Sequence, residues 1–322
     1  MCASISVQTR GSYRTTVALR HQPFLDIFHG LEYAVLHRVN TRFIKLTFGG
    51  FSMTAAALFR SLAFALGLAL CAAAPSSRAI AAQEFQPEVG QDGKDVIWVP
   101  TPQGLVDKML DMAKVTPKDY VIDLGSGDGR TVITAAKRGS KALGIEYNPD
   151  MVELSKQNAA KAGVSDKASF VKADLFESDF SQAQVITMFL LSSINLKLRP
   201  KILDLKPGTR IVSNTFDMSD WKPDESASLP GCNSWCTAHL WIVPAKVAGT
   251  WSLPQGELTL KQTFQNISGT LKSSGVETPV TGKLNGEHIS FAAGKTEYNG
   301  RVAGAIIEGV DKNGNKWTAT RR

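Results

Sequence analysis

The chain has no apolar run of the roughly 20 residues that a membrane-spanning helix needs. Its clearest hydrophobic segment, Phe64 to Ala74 (FALGLALCAAA), is too short to cross a bilayer comfortably. With Arg60 in front, PSSRAIAA behind, and Ala79, Ala81 and Ala82 fitting an A-x-A cleavage pattern, it reads as the core of a secretory signal peptide. Met53 stands where such a peptide begins, so residues 53–82 form the expected signal and 1–52 read as an extension upstream of the true start. The alternative for that extension is an organellar presequence, because six basic side chains face only Asp26 and Glu32. Cys71 follows Leu70 rather than a small residue, which weakens a lipoprotein reading. The expectation is an exported, periplasmic or envelope-associated protein, with an organellar address as the alternative and no transmembrane span in the mature chain.

The body also lacks charge of one sign. Of the net +7, residues 1–52 carry four, Arg60 and Arg78 add two, and one remains for residues 83–322. A near-neutral body has no electrostatic footprint for a polyanion, so nucleic acid is not an expected partner.

Cysteine is scarce at four, and loss of the leader would leave only Cys232 and Cys236, in GCNSWC. In an oxidising compartment such a pair reads as a disulfide. A zinc reading could recruit His239 but finds no fourth ligand nearby, so no metal is expected. A catalytic thiol stays open as the other reading.

What is present from Val96 onward is the alternation that builds a parallel sheet with helices on its faces. Thr101 to Val115 reads as a helix, followed by a strand at Tyr120 to Leu124, a helix at about 130–138 and a strand at Ala142 to Glu146. Asn148, Pro149 and Asp150 open the next helix. Further strands are expected at Ser169 to Ala173, Val185 to Leu191, Thr209 to Phe216 and Ala238 to Ala245, the last after a loop holding Trp221 and the cysteines. After Ala245 the period falls to two, and Asn-Gly pairs at Asn285, Asn299 and Asn313 read as hairpin turns. The fold class is therefore α/β, a Rossmann-like doubly wound sheet over residues 83–247, followed by a small antiparallel β meander, barrel or sandwich over 248–322. The meander's Trp251, Phe264, Phe291, Tyr298 and Trp317 read as its core.

Between the first strand and the next helix lies DLGSGDGR. Its glycines, Gly125, Gly127 and Gly129, are spaced G-x-G-x-G, and Arg130 stands where a dinucleotide fingerprint needs its third glycine. A pyrophosphate would also meet Asp123 and Asp128, which repel it. A ligand with a cationic head and no phosphate, such as S-adenosylmethionine, suits those carboxylates instead. Glu146 ends the second strand, where an open sheet presents a carboxylate to ribose hydroxyls, and Asp174 in KADLF follows the third, placed for an adenine amine.

The D-x-G-x-G-x-G loop, the acidic end of the second strand and the Asp after the third resemble those of class I S-adenosylmethionine-dependent methyltransferases. The resemblance implies that Asp123, Gly125, Ser126, Gly127, Asp128 and Gly129 shape the methionine pocket, that Glu146 holds the ribose and that Asp174 holds the adenine. VPTP at Val99 to Pro102, GIEYNPDMV at Gly144 to Val152, KADLF and VSNTF…W at Val212 to Trp221 are similar, more narrowly, to small protein-lysine methyltransferases that modify the ATP synthase rotor-ring protein and the adenine nucleotide translocase. The β meander and the signal peptide depart from that pattern. The N/D-P-P-Y motif of base and amide methylases is missing, and VITMFLLSSIN stands in its place. Ser192, Ser193, Asn214 and Trp221 lie on loops expected to border the pocket, each equally readable as a cap, turn or packing residue, and no catalytic residue is assigned. The expected function is methyl transfer to a protein or small-molecule acceptor, a protein lysine first. The alternative is an exported adenosyl-binding or structural envelope protein without turnover, its β domain carrying the partner.

Overall fold

Why the chain changes from helical to strand periodicity after Ala245 is visible in the computed structural model, which describes residues 85–322. The leader and its signal sequence lie outside the described residues. Alternating elements build the first half: α1 (Gln103–Met112), β1 (Tyr120–Leu124), α2 (Arg130–Lys137), β2 (Lys141–Glu146), α3 (Pro149–Lys161), β3 (Ala168–Lys172), β4 (Val185–Met188), α4 (Ser192–Leu203), β5 (Arg210–Asn214), β6 (Glu225–Ser228) and β7 (Thr237–Ile242). The strands form one seven-stranded sheet in the order β3-β2-β1-β4-β5-β7-β6. Strands β1 to β5 run parallel, while β7 is antiparallel to β5 and β6 antiparallel to β7. The order turns back between β1 and β4, which opens a crevice at their carboxyl ends.

Local chemistry explains the element starts. Asn148 caps α3 by accepting from the amides of Asp150 (2.9 Å) and Met151 (3.4 Å), with Pro149 at the first helical position. Gly129 opens α2 at φ 82°, and a Cβ there would stand 2.8 Å from the Phe170 ring. One face of the sheet is covered by α1, α2 and α3 through residues such as Leu105, Met109, Val132 and Val152. The other is covered by α4, with Ile194, Leu198 and Ile202 against Ile122, Ile186 and Trp241.

Helix α4 was not expected. Pro200 lies inside it and its apolar residues follow no clear stripe, so only the sheet surface beneath shows why it forms. The loop expected to hold only Trp221 and the cysteines also contains the short edge strand β6.

The remaining strands are β8 (Gly249–Leu253), β9 (Gly256–Thr263), β10 (Asn266–Ser273), β11 (Val276–Asn285), β12 (His288–Ala293), β13 (Thr296–Ala303), β14 (Ile306–Asp311) and β15 (Lys316–Arg321). They form a closed antiparallel barrel, sealed where β15 pairs with β8. Closure removes the free edges that a meander would expose. Trp251, Leu258, Leu260, Ile267, Phe291 and Trp317 fill it from inside. Asn285-Gly286 and Asn313-Gly314 sit at turns, but Asn299-Gly300 lies within β13 and is no hairpin turn. Gly300 is there for packing: a Cβ would stand 2.9 Å from the Trp317 ring.

Gln83–Arg322 forms one compact unit, so the barrel is packed onto the sheet. Phe264, expected in the barrel core, instead stacks on Trp221, with centroids 5.7 Å apart and planes 14° apart. Gln265 donates to the Lys222 carbonyl at 2.9 Å, and Ala245 N–H donates to the Gly286 carbonyl at 2.8 Å. Among the described residues no helix is long and apolar enough to cross a membrane.

Candidate functional site

The glycine loop between β1 and α2 forms the floor of a cavity of about 530 Å³ at the carboxyl ends of the parallel strands. Asp123, Gly125, Ser126, Gly127, Asp128, Glu146 and Asp174 all line it. Gly129 does not, and serves as the cap of α2 beneath it.

The loop's amides are committed inside the protein. Gly125 and Ser126 N–H both donate to the Ile145 carbonyl, at 2.9 and 3.1 Å, and Gly129 N–H donates to the Ser126 carbonyl at 2.9 Å. Gly127 N–H donates to Glu146 Oε2 at 2.9 Å. A phosphate cradle needs free amides aimed at the anion, and these four are taken. Carboxylates ring the space instead, which suits a ligand bearing positive charge.

Asp123 is buried at the end of β1 and accepts from Thr187 Oγ1 at 2.7 Å. Burial pushes its carboxyl up to about 7; the negative charges of Glu146 and Asp128 push the same way, and the Thr187 hydrogen bond opposes them. A cation beside it would favour the ionised form.

Glu146 accepts from Gly127 N–H through Oε2 and from Asn148 N–H through Oε1, both at 2.9 Å. Each oxygen keeps a lone pair for a hydroxyl donor. Ser126 Oγ is buried without a hydrogen-bond partner, an orphan that a polar ligand atom would satisfy. Gly144 makes room for it, since a Cβ there would lie 2.4 Å from that oxygen.

Two of the expected ligand carboxylates are paired with basic side chains of the protein. Asp128 pairs with Arg130 at 2.6 Å, and Arg130 also donates to the Thr101 carbonyl at 2.8 Å, so Asp128 ties the loop to the segment before α1. Asp174 accepts from Lys94 Nζ and, at 2.9 Å, from Phe176 N–H; these two bonds, the lysine's first, hold its carboxyl below the usual range. Lys94 also lies 4.9 Å over the Tyr147 ring.

The residues around Lys94 form a wall that motif reading did not anticipate. Gln91 to Thr101 line the cavity, folded back by Trp98 N–H donating to the Gln91 carbonyl and Gly90 N–H to the Trp98 carbonyl, both at 2.9 Å. Trp98 lies against the glycine loop, its Nε1 only 2.6 Å from where a Gly127 Cβ would be. Phe189, Phe216 and Trp235 also line the cavity. The first two follow β4 and β5, where ligand sites of open sheets concentrate, and that rule could have flagged them.

Ser192, Ser193, Asn214 and Trp221 do not line it. The serines open α4, and Asn214 is buried, donating to Thr101 Oγ1 at 3.2 Å. Trp221 is buried between Trp241 and Phe264 and supports the barrel. Cys232 and Cys236 are joined as a disulfide with Cα atoms 5.8 Å apart. His239 bonds to Ser226 Oγ at 2.8 Å and the Thr215 carbonyl at 3.2 Å.

A family model described as the ANTKMT methyltransferase domain matches residues 123–225, which hold the carboxylates and stop short of the barrel. A protein-lysine N-methyltransferase of Saccharolobus islandicus is 45% identical over 151 residues, 46% of this chain and 94% of that protein. The adenine nucleotide translocase lysine N-methyltransferase of Mus musculus is 33% identical over 120 residues, 37% of this chain and 52% of that protein, so the match spans about half of the mouse enzyme. A solved RNA methyltransferase from Salinibacter ruber in complex with S-adenosyl-L-homocysteine is 46% identical, covering 46% of this chain and 96% of that one, with a TM-score of 0.44. With its glycine loop and strand-end carboxylates around one cavity, the chain belongs to the class I S-adenosylmethionine-dependent methyltransferases, in the family of the small protein-lysine N-methyltransferases.

Proposed function

We propose that the protein methylates the ε-amine of a protein lysine. The observation that carries this reading is the match along 94% of the Saccharolobus islandicus protein-lysine N-methyltransferase. Asp123, Ser126 and Glu146 are the residues that would hold the cofactor, through charge, the orphaned hydroxyl and paired hydroxyl contacts. Bound there, S-adenosylmethionine supplies a methyl group already activated on a sulfonium. The acceptor's lone pair would form the new N–C bond as the C–S electron pair returned to sulfur, with one N–H proton leaving to water. Such a displacement depends on alignment and exclusion of water more than on a catalytic side chain, which is consistent with a site rich in positioning groups.

The test is incubation of the purified protein with methyl-tritiated cofactor and with mixed protein and RNA from cells. Label that is protease-sensitive and elutes as methyl-lysine after acid hydrolysis is expected. Label on RNA would contradict the lysine assignment.

We also propose that the protein is exported. The apolar run with its A-x-A pattern and the Cys232–Cys236 disulfide support this. Amino-terminal sequencing of the native protein should begin near residue 83, and a start near Met1 would refute it.

A further inference from the structure

Three aromatic rings meet in the cavity that holds Asp123 and Glu146. Ring centroids are 5.9 Å apart for Phe189 and Phe216, 5.8 Å for Phe189 and Trp235, and 5.5 Å for Phe216 and Trp235. They come from three separate segments: the chain after β4, the chain after β5, and the disulfide-closed loop between β6 and β7. None belongs to the sheet's buried core; the phenylalanines are half-buried and Trp235 is 41% exposed.

Trp235 also has φ 56°, in the left-handed region that bulky residues rarely adopt. The disulfide closes the loop one residue away, at Cys236. Two costs, an exposed indole and an unfavourable backbone, are thus carried at one position facing the cavity, the pattern expected of a binding residue.

We propose that Phe189, Phe216 and Trp235, packed against one another, form the aromatic wall of the acceptor channel of this methyltransferase, that this channel admits alkylammonium side chains including ones already methylated, and that the Cys232–Cys236 disulfide positions Trp235 in it. The proposal rests on the methyltransferase reading of the glycine-loop site. The aromatic faces attract cations without requiring hydrogen bonds from them. A methylated ammonium, which has lost donors with each methyl, is therefore still held. Leu190, Leu191 and Ile194 extend the same lining with apolar surface against which the methyl groups of such an ammonium can pack. Each round forms one N–C bond, returns one C–S pair to sulfur and releases one N–H proton to water until no N–H remains. The channel therefore serves successive methylation of one acceptor.

The test uses the full-length protein saturated with S-adenosylhomocysteine, titrated with N-acetyl-trimethyllysine methylamide and with its neutral isostere carrying a tert-butyl carbon in place of the trimethylammonium. The cationic probe should bind at least about fivefold more tightly than the neutral one. Trp235→Ala should abolish that preference and Trp235→Phe should keep most of it. The Cys232→Ser/Cys236→Ser double variant should bind the cationic probe several-fold more weakly. All three variants should keep wild-type affinity for S-adenosylhomocysteine, which shows them folded. Equal binding of the two probes, binding of neither, or a Trp235→Ala variant that retains the preference overturns the channel. Wild-type probe affinity in the cysteine variant overturns the positioning role. If wild-type protein fails to bind S-adenosylhomocysteine, it is the methyltransferase reading that falls.

Discussion

Asp123 is where stability and ligand binding pull against each other. Its carboxyl is pushed up to about 7, chiefly by burial. Between about pH 4 and pH 7 the folded state therefore keeps a proton that the unfolded chain has released, so this residue makes stability fall as pH rises through that window and level off above it. A cationic ligand reverses the preference by favouring the carboxylate. Cofactor affinity should thus rise from about pH 6 to about pH 8, with proton release on binding, and Asp123→Asn should flatten that profile while making the ligand-free protein on the order of 1 kcal/mol more stable above pH 7. Calorimetry in buffers of different ionisation enthalpy, with thermal melts, checks both. Gly144→Ala is the steric counterpart: its Cβ would lie 2.4 Å from Ser126 Oγ and 2.5 Å from the Phe170 ring. It should destabilise by about 1–3 kcal/mol and weaken cofactor binding, read by denaturant melts and titration. That Asp123, Glu146 and Asp174 line one cavity was legible in the sequence because each lies at or just past the carboxyl end of a strand in the alternating pattern. The partners of Asp128 and Asp174 were not. Arg130 and Lys94 could equally have faced solvent, and only the folded-back segment Gln91 to Thr101 brings Lys94 over the site.

At the scale of elements, strongly periodic segments were placed correctly, though β4 and β7 stop three residues short of their expected ends, and segments held by tertiary contacts were missed. β1 matches its expected span, Tyr120–Leu124, because an apolar run between turn residues has few alternatives. α4 and β6 were missed: one contains Pro200, and the other, ESAS, has no apolar alternation and is held by pairing with β7. The Asn299-Gly300 pair shows the limit of dipeptide signals. Local chemistry permitted a turn, but β13 needs a glycine where Trp317 and the Glu308 carbonyl crowd the backbone. Gly300→Ala should therefore cost about 1–3 kcal/mol in a denaturant melt, as an overpacked barrel does.

Sheet and barrel meet through side chains of their connecting loops. Trp221 is fully buried, its carbonyl accepts from Trp241 Nε1 at 2.8 Å, and its ring stacks on Phe264 from the barrel, over which the Arg199 guanidinium sits at 5.2 Å. Trp221→Ala should lower stability by about 3–5 kcal/mol and split one unfolding transition into two, visible by scanning calorimetry. The sequence showed two patterns of strands but not this contact, since no local periodicity reports which loop residue meets which hairpin. The proposed seat of S-adenosylmethionine, the glycine loop with its carboxylates, draws on several strands and so belongs to the scale of the whole molecule. It is tested most directly by calorimetric titration of S-adenosylmethionine and S-adenosylhomocysteine into the purified protein, beside Asp123→Ala and Glu146→Ala. Binding on the order of micromolar by the wild type, lost in both variants, is the predicted result. A folded wild-type protein that binds neither ligand would contradict it.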